Sequence, residues 1–324
     1  MGVMVDGVWH PGAKHDTVKH GGRFERASSQ FRNWITEDGA AGPTGRDGFK
    51  AEPNRYHLYV AAVCPWANRT ILFRALKGLQ NVISMTTLKS TMSDGGWTFP
   101  TSDDPLPRTQ PDPLHNSSYL YELYLRAEPK CNGRATVPVL WDKQEQTIVS
   151  NESSEIIRMF NTAFNEFADN PELDLYPQTV RAEIDAINAS IYQHINNGVY
   201  KCGFATTQKA YEEAYDALFT ALDELENRLA TNRYLLGDVL TEADWRLYPT
   251  LLRFDIVYYH LFKCNHRRIA DYPNLFNYLL ELHQIPDIAT MVNLDDIKNG
   301  YYSVLKTWFN APLIVSKVRG TISK

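Results

Sequence analysis

The sequence has little of what marks several classes of protein. Its four cysteines, Cys64, Cys131, Cys202 and Cys264, are spread over 324 residues, which fits neither a disulfide scaffold nor a zinc site with paired ligands. No stretch approaches the roughly 20 apolar residues of a membrane helix, and the net charge of −5 comes without a basic run. We therefore expect no membrane or nucleic-acid partner, and a reducing compartment for the protein.

Targeting signals and metal-ligand patterns are also missing. Asp6 and His10 interrupt the amino terminus before an apolar run can build, so it does not resemble a secretory signal. Asp6 also stands where N-myristoylation requires Ser or Thr. Histidines that fall on helical patterns, such as His260 and His266, lack metal-ligand spacing. These features predict a cytoplasmic protein without a bound metal.

What the chain does contain is an ordinary globular composition, with 44% hydrophobic and 22% charged residues. Its length favours two domains. Residues 1–50, rich in glycine, histidine and charge, predict an extended arm. Residues 51–165 follow the pattern β-α-β-α-β-β-α, residues 166–310 show helical patterns only, and residues 311–324 are left as a tail. The predicted fold is an α/β domain followed by an all-α domain.

Local signals place several helix starts. The stretch "RYHLYVAAV" predicts a buried strand, and "CPWANRTILFRALKGL" predicts the helix that follows it, with Pro65 in the first turn. In "SNESSEIIRMFNTAF" either Ser150 or Asn151 can cap the helix. Thr241 with Asp244 three residues later predicts a capping box at a helix of the second domain.

Cys64 is the residue with the clearest chemical potential. It stands where the strand ends and the helix begins, so unpaired backbone N–H groups and the positive end of the helix dipole point towards its sulfur. Such a position lowers the pKa of a thiol and favours the nucleophilic thiolate. The alternative is a small buried hydrophobic residue at a strand end. The other three cysteines lack this setting: Cys131 is predicted in a loop, Cys202 after a tyrosine-bearing loop, and Cys264 near a helix end.

The residues around Cys64 indicate how a mixed disulfide formed at this cysteine would be released. A dithiol oxidoreductase carries its resolving cysteine three residues after the nucleophile, and here that position is Ala67. A mixed disulfide at Cys64 would therefore need a thiol from outside for its release, and glutathione is the abundant candidate.

A proline in "TVPVLWD" supports a peptide-like ligand. This stretch and the nearby "TIVS" predict a hairpin. Pro138 removes a ladder donor, so it is expected either at a simple edge position or in a special turn with a cis Val137–Pro138 bond. Such a turn would leave the backbone of Val137 free to pair with the ligand.

Several stretches taken together resemble a known family. They are "GGRFERASSQFRNW", "CPWANR", the "GGW" that ends at Trp97, "TVPVLWD", "SNESSEIIRMFNTAF" and "NNGVYKCGFATTQ". In this order they are similar to the glutathionyl-hydroquinone reductases, the Xi class of the glutathione transferases. The resemblance reaches to about Tyr302, although the carboxyl-terminal stretch lacks the histidine expected before the paired tyrosines. It implies a thioredoxin-like domain, an all-helical domain and a homodimer.

The resemblance also implies a glutathione site. Val137, next to Pro138, would pair through its backbone with the cysteinyl unit of the tripeptide, and Trp97 would lie against it. Glu152 and Ser153 would hold the γ-glutamyl end, as a helix start with a carboxylate suits that group. Arg134 would face the other carboxylate, or would be a solvated arginine.

The implied reaction is reduction of S-glutathionyl-hydroquinones to hydroquinones through a Cys64-glutathione mixed disulfide, with release of glutathione disulfide. Glutathione serves as a cosubstrate. Tyr200 and Tyr301 would bind the hydroquinone hydroxyls and assist proton transfer, with Tyr302 as a substitute for Tyr301. The alternative for Tyr200 is a packing role at an interface.

Two other functions share these features. An omega-like thioltransferase or dehydroascorbate reductase would use the same Cys64 without the tyrosine-lined ring site. A non-catalytic transferase homologue would only carry ligands, because a fold does not dictate function.

Overall fold

The computed structural model of the chain describes residues 2–13, 15–103 and 106–303, and the expected tail at residues 311–324 lies outside them. The described residues form two units. The first is drawn from Met1–Lys14, Ser28–Asp174 and Thr290–Thr307. The second is drawn from His15–Ala27 and Leu175–Ala289.

The first unit combines strands and helices. The strands described in it are β1 (Gly2–Val5), β2 (Val8–Pro11), β3 (Tyr56–Ala61), β4 (Ser84–Leu88), β5 (Met92–Ser93), β6 (Gly96–Trp97), β7 (Val139–Asp142) and β8 (Thr147–Ser150). The helices are α1 (Pro65–Leu76), α2 (Leu120–Ala127), α3 (Ser153–Thr162) and, after the second unit in the chain, α10 (Leu294–Ser303).

A four-stranded mixed sheet with the order β4-β3-β7-β8 is the centre of the first unit. β3 pairs parallel with β4 and antiparallel with β7, and β7 pairs antiparallel with β8. A parallel pair needs a crossover connection, which α1 supplies, and α1 packs against β3 and α3. The predicted element order is confirmed, with β5 and β6 as an additional short hairpin. The chain enters α1 at the carboxyl end of β3, and this places Cys64 at that end of the sheet.

Part of the predicted arm extends this sheet. Arg32 forms an antiparallel bridge with Ser150, and the amide of Asn33 donates to the carbonyl of Val149 at 2.9 Å. The guanidinium of Arg32 pairs with the carboxylate of Glu155 on α3. The arm thereby covers the edge of β8, whose unpaired backbone groups would otherwise offer a template for another chain.

The second unit is helical. Its α-helices are α4 (Arg181–Ile191), α5 (Gly198–Phe204), α6 (Gln208–Leu229), α7 (Glu242–Arg253), α8 (Tyr259–Leu261) and α9 (Pro273–Gln284). Single π-helical turns follow α4 at Tyr192–Asn196 and α7 at Phe254–Tyr258. The predicted capping box is confirmed, since the Asp244 carboxylate accepts from the amide of Thr241 at 2.8 Å at the start of α7.

Sequence patterns missed α5 and wrongly placed Tyr200 in a loop. Two glycines in seven residues weaken any helical prediction from propensity. Tertiary packing overrides this weakness, because a Cβ at Gly203 would lie 2.4 Å from the ring of Phe262. The close approach of α5 to that ring requires the glycine, and Tyr200 and Cys202 lie on the helix so formed.

Within the part of the chain that the structure describes, no helix has both the length and the apolar character needed to cross a bilayer.

The buried His57 on β3 gives a prediction about stability and pH. Its side chain is 2% exposed, and its ring nitrogens lie 2.7 Å from Ser84 Oγ and 2.9 Å from Thr86 Oγ1. Burial lowers its pKa from 6.5 to about 4. Between these values the unfolded chain binds a proton that the folded chain does not, so the free energy of unfolding should fall by about 3 kcal/mol as the pH drops through this interval.

Urea unfolding at several pH values between 7.5 and 4 would measure this slope. His57→Gln should reduce the slope of the free energy of unfolding against pH by the contribution of about one proton. His10→Gln is the matched control, because it removes an exposed histidine instead of a buried one. Equal slopes in the two variants would contradict the prediction.

Candidate active site

Cys64 is the cap residue of α1. Its backbone is extended (φ −79°, ψ 121°), Pro65 is the first helical residue, and the Cys64 carbonyl accepts from the amide of Asn68 at 3.0 Å. Cys64 is not in a disulfide, and the residue is half-buried. The Sγ lies 3.5 Å from the carbonyl oxygen of Val137. The predicted position at the strand-to-helix junction is confirmed, and the sulfur lies beside the proline-containing loop.

The other cysteines have different surroundings. Cys131, Cys202 and Cys264 are 3%, 1% and 0% exposed. Burial raises the pKa of the Cys131 thiol, and that of the Cys264 thiol well above its ordinary value. Buried cysteines with raised pKa values are poor nucleophiles, so the half-buried Cys64 stands apart.

The Val137–Pro138 peptide bond is cis. Of the two predictions for this proline, the special turn with a cis bond is confirmed and the simple edge position is not. Pro138 directly precedes β7 rather than lying inside it. Both residues are buried, with Val137 4% exposed. The loop therefore presents the Val137 carbonyl to the sulfur of Cys64.

The start of α3 differs from the expected cap. Glu152 caps the helix, not Ser150 or Asn151. Glu152 has the extended backbone of a cap residue (φ −101°, ψ 107°), and its side chain is long enough to fold back onto the amide of Ser154. The Asn151 side chain is already bonded to the amide of Phe31, and Ser150 Oγ accepts from the amide of Glu152 at 3.2 Å.

The Glu152 carboxylate is held on both oxygens. Its Oε1 accepts from the amide of Ser154 at 3.1 Å and from Ser154 Oγ at 2.7 Å, while Oε2 accepts from Ser29 Oγ at 2.9 Å. Burial by itself raises the pKa of Glu152, but these hydrogen bonds and the charge of Arg69 outweigh it and leave the pKa below its ordinary value. The ionised carboxylate suits an ammonium group.

Sequence reasoning missed Ser29 and Arg69. Ser29 lies on the arm, more than 120 residues from Glu152 in the chain, and no local pattern pointed to it. Arg69 follows Cys64 on α1, and its guanidinium lies 4.7 Å from the centre of the Trp66 ring. That residue belonged to the "CPWANR" stretch and could have been singled out from there.

Trp97 and Arg134 also belong to the first unit. Trp97 lies on β6 and is 9% exposed. Arg134 donates to the carbonyl of Ala13 at 3.0 Å and to that of Gly2 at 3.4 Å. Its guanidinium is thus bonded to the amino-terminal segment. The sequence had predicted either a ligand carboxylate or solvent as its partner. Its contact with a ligand stays a prediction.

The paired tyrosines lie on α10, which belongs to the first unit although residues 166–310 were assigned to the helical domain. A Cβ at Gly300 would lie 2.6 Å from both the carbonyl oxygen of Ser90 and the side chain of Val63. Gly300 therefore packs closely against Val63, the residue before Cys64. Tyr301 is the residue that follows Gly300. Tyr301 is 4% exposed and Tyr302 is 39% exposed.

Tyr200 lies in the second unit and is 7% exposed. Its ring packs against Tyr258 and Phe262, with centroid distances of 5.9 and 5.3 Å. The guanidinium carbon of Arg26 lies 4.7 Å from the ring centre, and Arg26 Nε donates to Asn197 Oδ1 at 3.0 Å. A cation over the face of an aromatic ring is attracted to it, so Arg26 helps to hold the Tyr200 ring in place. Arg26, which occurs in the "GGRFERA" stretch of the arm, was not predicted as a site residue from the sequence.

No group of three or more His, Cys, Asp or Glu side chains that could hold a metal ion occurs among the described residues.

Two family models match the chain. The one described as "Glutathione S-transferase, N-terminal domain" matches residues 63–163, and "Glutathione S-transferase, C-terminal domain" matches residues 208–281. The first match contains the Cys64 junction, the Val137–Pro138 loop and the start of α3.

Curated relatives resemble nearly the whole chain. The glutathionyl-hydroquinone reductase YqjG of Escherichia coli (strain K12) is 52% identical over 95% of this chain and 92% of its own length. The glutathionyl-hydroquinone reductase PcpF of Sphingobium chlorophenolicum is 49% identical over 93% of this chain and 91% of its own length. A Schizosaccharomyces pombe protein named glutathione S-transferase omega-like 2 is 48% identical over 81% of this chain and 82% of its own length.

Solved structures agree with these matches. The glutathione-bound structure of YqjG from Escherichia coli K-12 has a TM-score of 0.85 and 47% identity, with 98% of each chain covered. The Xi-class transferase of Phanerochaete chrysosporium has a TM-score of 0.81 and 49% identity, covering 86% of this chain and 92% of that one. The fold is therefore the glutathione transferase fold, with a thioredoxin-like amino-terminal domain and a helical carboxyl-terminal domain, as predicted. The chain belongs to the glutathionyl-hydroquinone reductases, the Xi class of the glutathione transferases.

Proposed function

We propose that this protein reduces S-glutathionyl-hydroquinones to hydroquinones, using glutathione and passing through a Cys64-glutathione mixed disulfide. The observation that carries the proposal is the setting of Cys64: a half-buried thiol at the start of α1, with Ala67 where a resolving cysteine would stand and the Val137 carbonyl 3.5 Å from its sulfur. The names of the relatives from Escherichia coli and Sphingobium chlorophenolicum support the same activity.

Glutathione would bind along the first unit. The cysteinyl unit of the tripeptide would pair with the backbone of Val137 beside Pro138, which brings its sulfur to Cys64. The ionised Glu152 would accept the γ-glutamyl ammonium, and the start of α3 at Ser153 would receive the γ-glutamyl carboxylate. Trp97 would cover the tripeptide, and Arg134 remains the proposed partner of the other carboxylate.

In the first step the Cys64 thiolate attacks the glutathione sulfur of the adduct. A Cys64–glutathione disulfide forms, the bond between that sulfur and the ring carbon breaks, and the ring carbon keeps the electron pair. The carbon then takes up one proton and the hydroquinone leaves. The two sulfur atoms are oxidised by two electrons in total, and the ring is reduced by the same number.

The proton would come from a phenol at the ring site. Tyr200 and Tyr301 are the proposed donors and also the proposed partners of the hydroquinone hydroxyls. Arg26 over the Tyr200 ring and the packing of Tyr258 and Phe262 against it hold this phenol in one orientation. We favour Tyr301 over Tyr302, because the neighbouring Gly300 contacts Val63 and because Tyr302 is 39% exposed.

In the second step a glutathione thiolate attacks the mixed disulfide. Glutathione disulfide leaves and the Cys64 thiolate is restored, so the enzyme needs no second thiol of its own. We further propose a homodimer in the cytoplasm, where the four cysteines would stay reduced.

Mass spectrometry of the trapped enzyme tests the proposal directly. Mixing the protein with an S-glutathionyl-hydroquinone, in the absence of free glutathione, should leave one added glutathione on the peptide that contains Cys64 and should release one equivalent of hydroquinone. Modification of a different cysteine, or hydroquinone release without any adduct, would contradict the mechanism.

A rate comparison separates the proposal from an omega-like thioltransferase or dehydroascorbate reductase. With glutathione present, turnover of the S-glutathionyl-hydroquinone should exceed that of hydroxyethyl disulfide and dehydroascorbate. The opposite order would favour the omega-like function, and the absence of all three activities would favour a ligand-binding homologue.

A further inference from the structure

A buried hydrogen-bond node joins the two halves of the proposed glutathione site. Its first member is Asn151, which is 7% exposed and directly precedes Glu152. Asn151 Oδ1 accepts from the amide of Phe31 at 3.1 Å. Its Nδ2 donates to the Tyr124 hydroxyl at 3.0 Å and to Thr136 Oγ1 at 3.3 Å.

The second member is Tyr124 on α2, which is fully buried. Its hydroxyl donates to the carbonyl of Thr136 at 2.7 Å and accepts from the amide of the same residue at 3.1 Å. Thr136 directly precedes Val137. The Tyr124 hydroxyl is therefore hydrogen-bonded to both the N–H and the carbonyl of Thr136, the residue that leads into the Val137–Pro138 loop.

The Tyr124 hydroxyl uses its donor and both of its lone pairs. A phenol has one proton to donate and two lone pairs to accept, and here one bond leaves the Tyr124 hydroxyl while two arrive from N–H groups. Burial raises the pKa of Tyr124, so the hydroxyl keeps the proton that it donates. Removing this hydroxyl would leave Asn151 Nδ2 and the backbone of Thr136 without these bonds, which is costly for buried polar groups.

We infer that Tyr124 and Asn151 are positioning residues for glutathione, because they fix the Val137 loop relative to the start of α3. This inference rests on the proposed function. Val137 and Glu152 are the proposed partners of different parts of one tripeptide, so its affinity depends on the distance between them. Neither Tyr124 nor Asn151 is itself assigned a contact with the ligand.

The same node connects the arm to the site. Phe31 bonds to Asn151 through its backbone in both directions and packs its ring edge-on against Tyr124, with a centroid distance of 5.6 Å. Ser29, two residues earlier, donates to Glu152. The arm thus braces both Glu152 and the node that orients the loop.

Removing the Tyr124 hydroxyl tests the inference. In Tyr124→Phe the loop loses its anchor while the ring still packs, so glutathione should bind about tenfold more weakly by isothermal titration calorimetry of the reduced protein. Tyr56→Phe is the matched control. Tyr56 is 0% exposed and its hydroxyl donates to the carbonyl of Lys50 at 2.6 Å, so this variant also loses a bond from a tyrosine hydroxyl to a backbone carbonyl, but away from the Val137 loop.

The control separates positioning from general destabilisation. Both variants should lower the melting temperature, but Tyr56→Phe should bind glutathione within about twofold of the wild type. Equal weakening in both variants, or unchanged binding in Tyr124→Phe, would overturn the inference. Wild-type protein that binds no glutathione would instead overturn the proposed function, and the inference with it.

A second pair of variants provides a test that is independent of whether Tyr124→Phe folds. Asn151→Ala removes the amide that links the arm, the phenol and Thr136, and should also weaken glutathione binding about tenfold. Asn33→Ala is its control, because Asn33 Oδ1 likewise accepts from an arm amide, that of Arg46, at 3.0 Å. Binding that weakens equally in both asparagine variants would count against the positioning role.

Discussion

Cys64→Ser should lower the rate of deglutathionylation by on the order of a thousandfold or more, because a serine hydroxyl at neutral pH cannot replace a thiolate as the attacking group. The helix start that favours an ionised sulfur does too little for an alcohol, which is far less acidic than a thiol. Glutathione binding should persist, since Val137 and Glu152 are unchanged. Steady-state kinetics with an S-glutathionyl-hydroquinone and calorimetry with glutathione would measure the two effects separately.

Cys131→Ser is the matched control for this experiment. Cys131 is also in the first unit, but it is 3% exposed and its sulfur lies 3.3 Å from Gln30 Oε1. This variant should keep nearly full activity. Activity that survives in Cys64→Ser would show that Cys64 is not the nucleophile. Equal loss in both variants would point to a general disturbance of the first unit.

Tyr200→Phe should lower the rate of hydroquinone release by about a hundredfold, which is the lower part of the range for losing a general acid. Cleavage at the ring leaves an electron pair on carbon, and that carbon needs a proton. A disulfide substrate releases a thiolate, which is a stable leaving group and takes its proton from water without a positioned acid. The same variant should therefore reduce hydroxyethyl disulfide at close to the wild-type rate, and the ratio of the two rates is the diagnostic measurement.

Tyr211→Phe is the control for Tyr200→Phe. Tyr211 lies in the same unit, is 0% exposed and donates its hydroxyl to the carbonyl of Lys263 at 2.7 Å. Both rates should stay near the wild-type values in this variant. If Tyr200→Phe slowed the two substrates equally, Tyr200 would have a packing role. Tyr301→Phe, measured in the same way, would show whether the two phenols share the proton transfer.

The outline of the fold could be predicted from the sequence because its signals are local. The alternation and burial of β3, the proline that starts α1, and the Thr241–Asp244 capping box all lie within a few residues of what they determine. The α5 helix could not be predicted in this way. Its two glycines argue against a helix, and the requirement for Gly203 comes from the ring of Phe262, 59 positions later in the chain.

The start of α3 shows the same limit at smaller scale. Serine and asparagine are the usual cap residues, and both precede Glu152 in the sequence. Their side chains are committed elsewhere, Asn151 to the arm and Tyr124, and Ser150 to the amide of Glu152. Of these bonds, those of Asn151 join residues far apart in the chain, so local sequence patterns alone did not show that Glu152 is the cap.

For the candidate site, the sequence alone determined that one cysteine begins a helix after a buried strand and that Ala67 follows it in place of a second thiol. The tertiary structure decided what surrounds that sulfur: the Val137 carbonyl, and α10 packed through Gly300 against Val63. It also decided that Ser29 of the arm bonds to Glu152. The position of Cys64 at the start of α1 depends on neighbouring residues, whereas each of these contacts joins residues more than 70 positions apart and exists only once the sheet and its helices have packed.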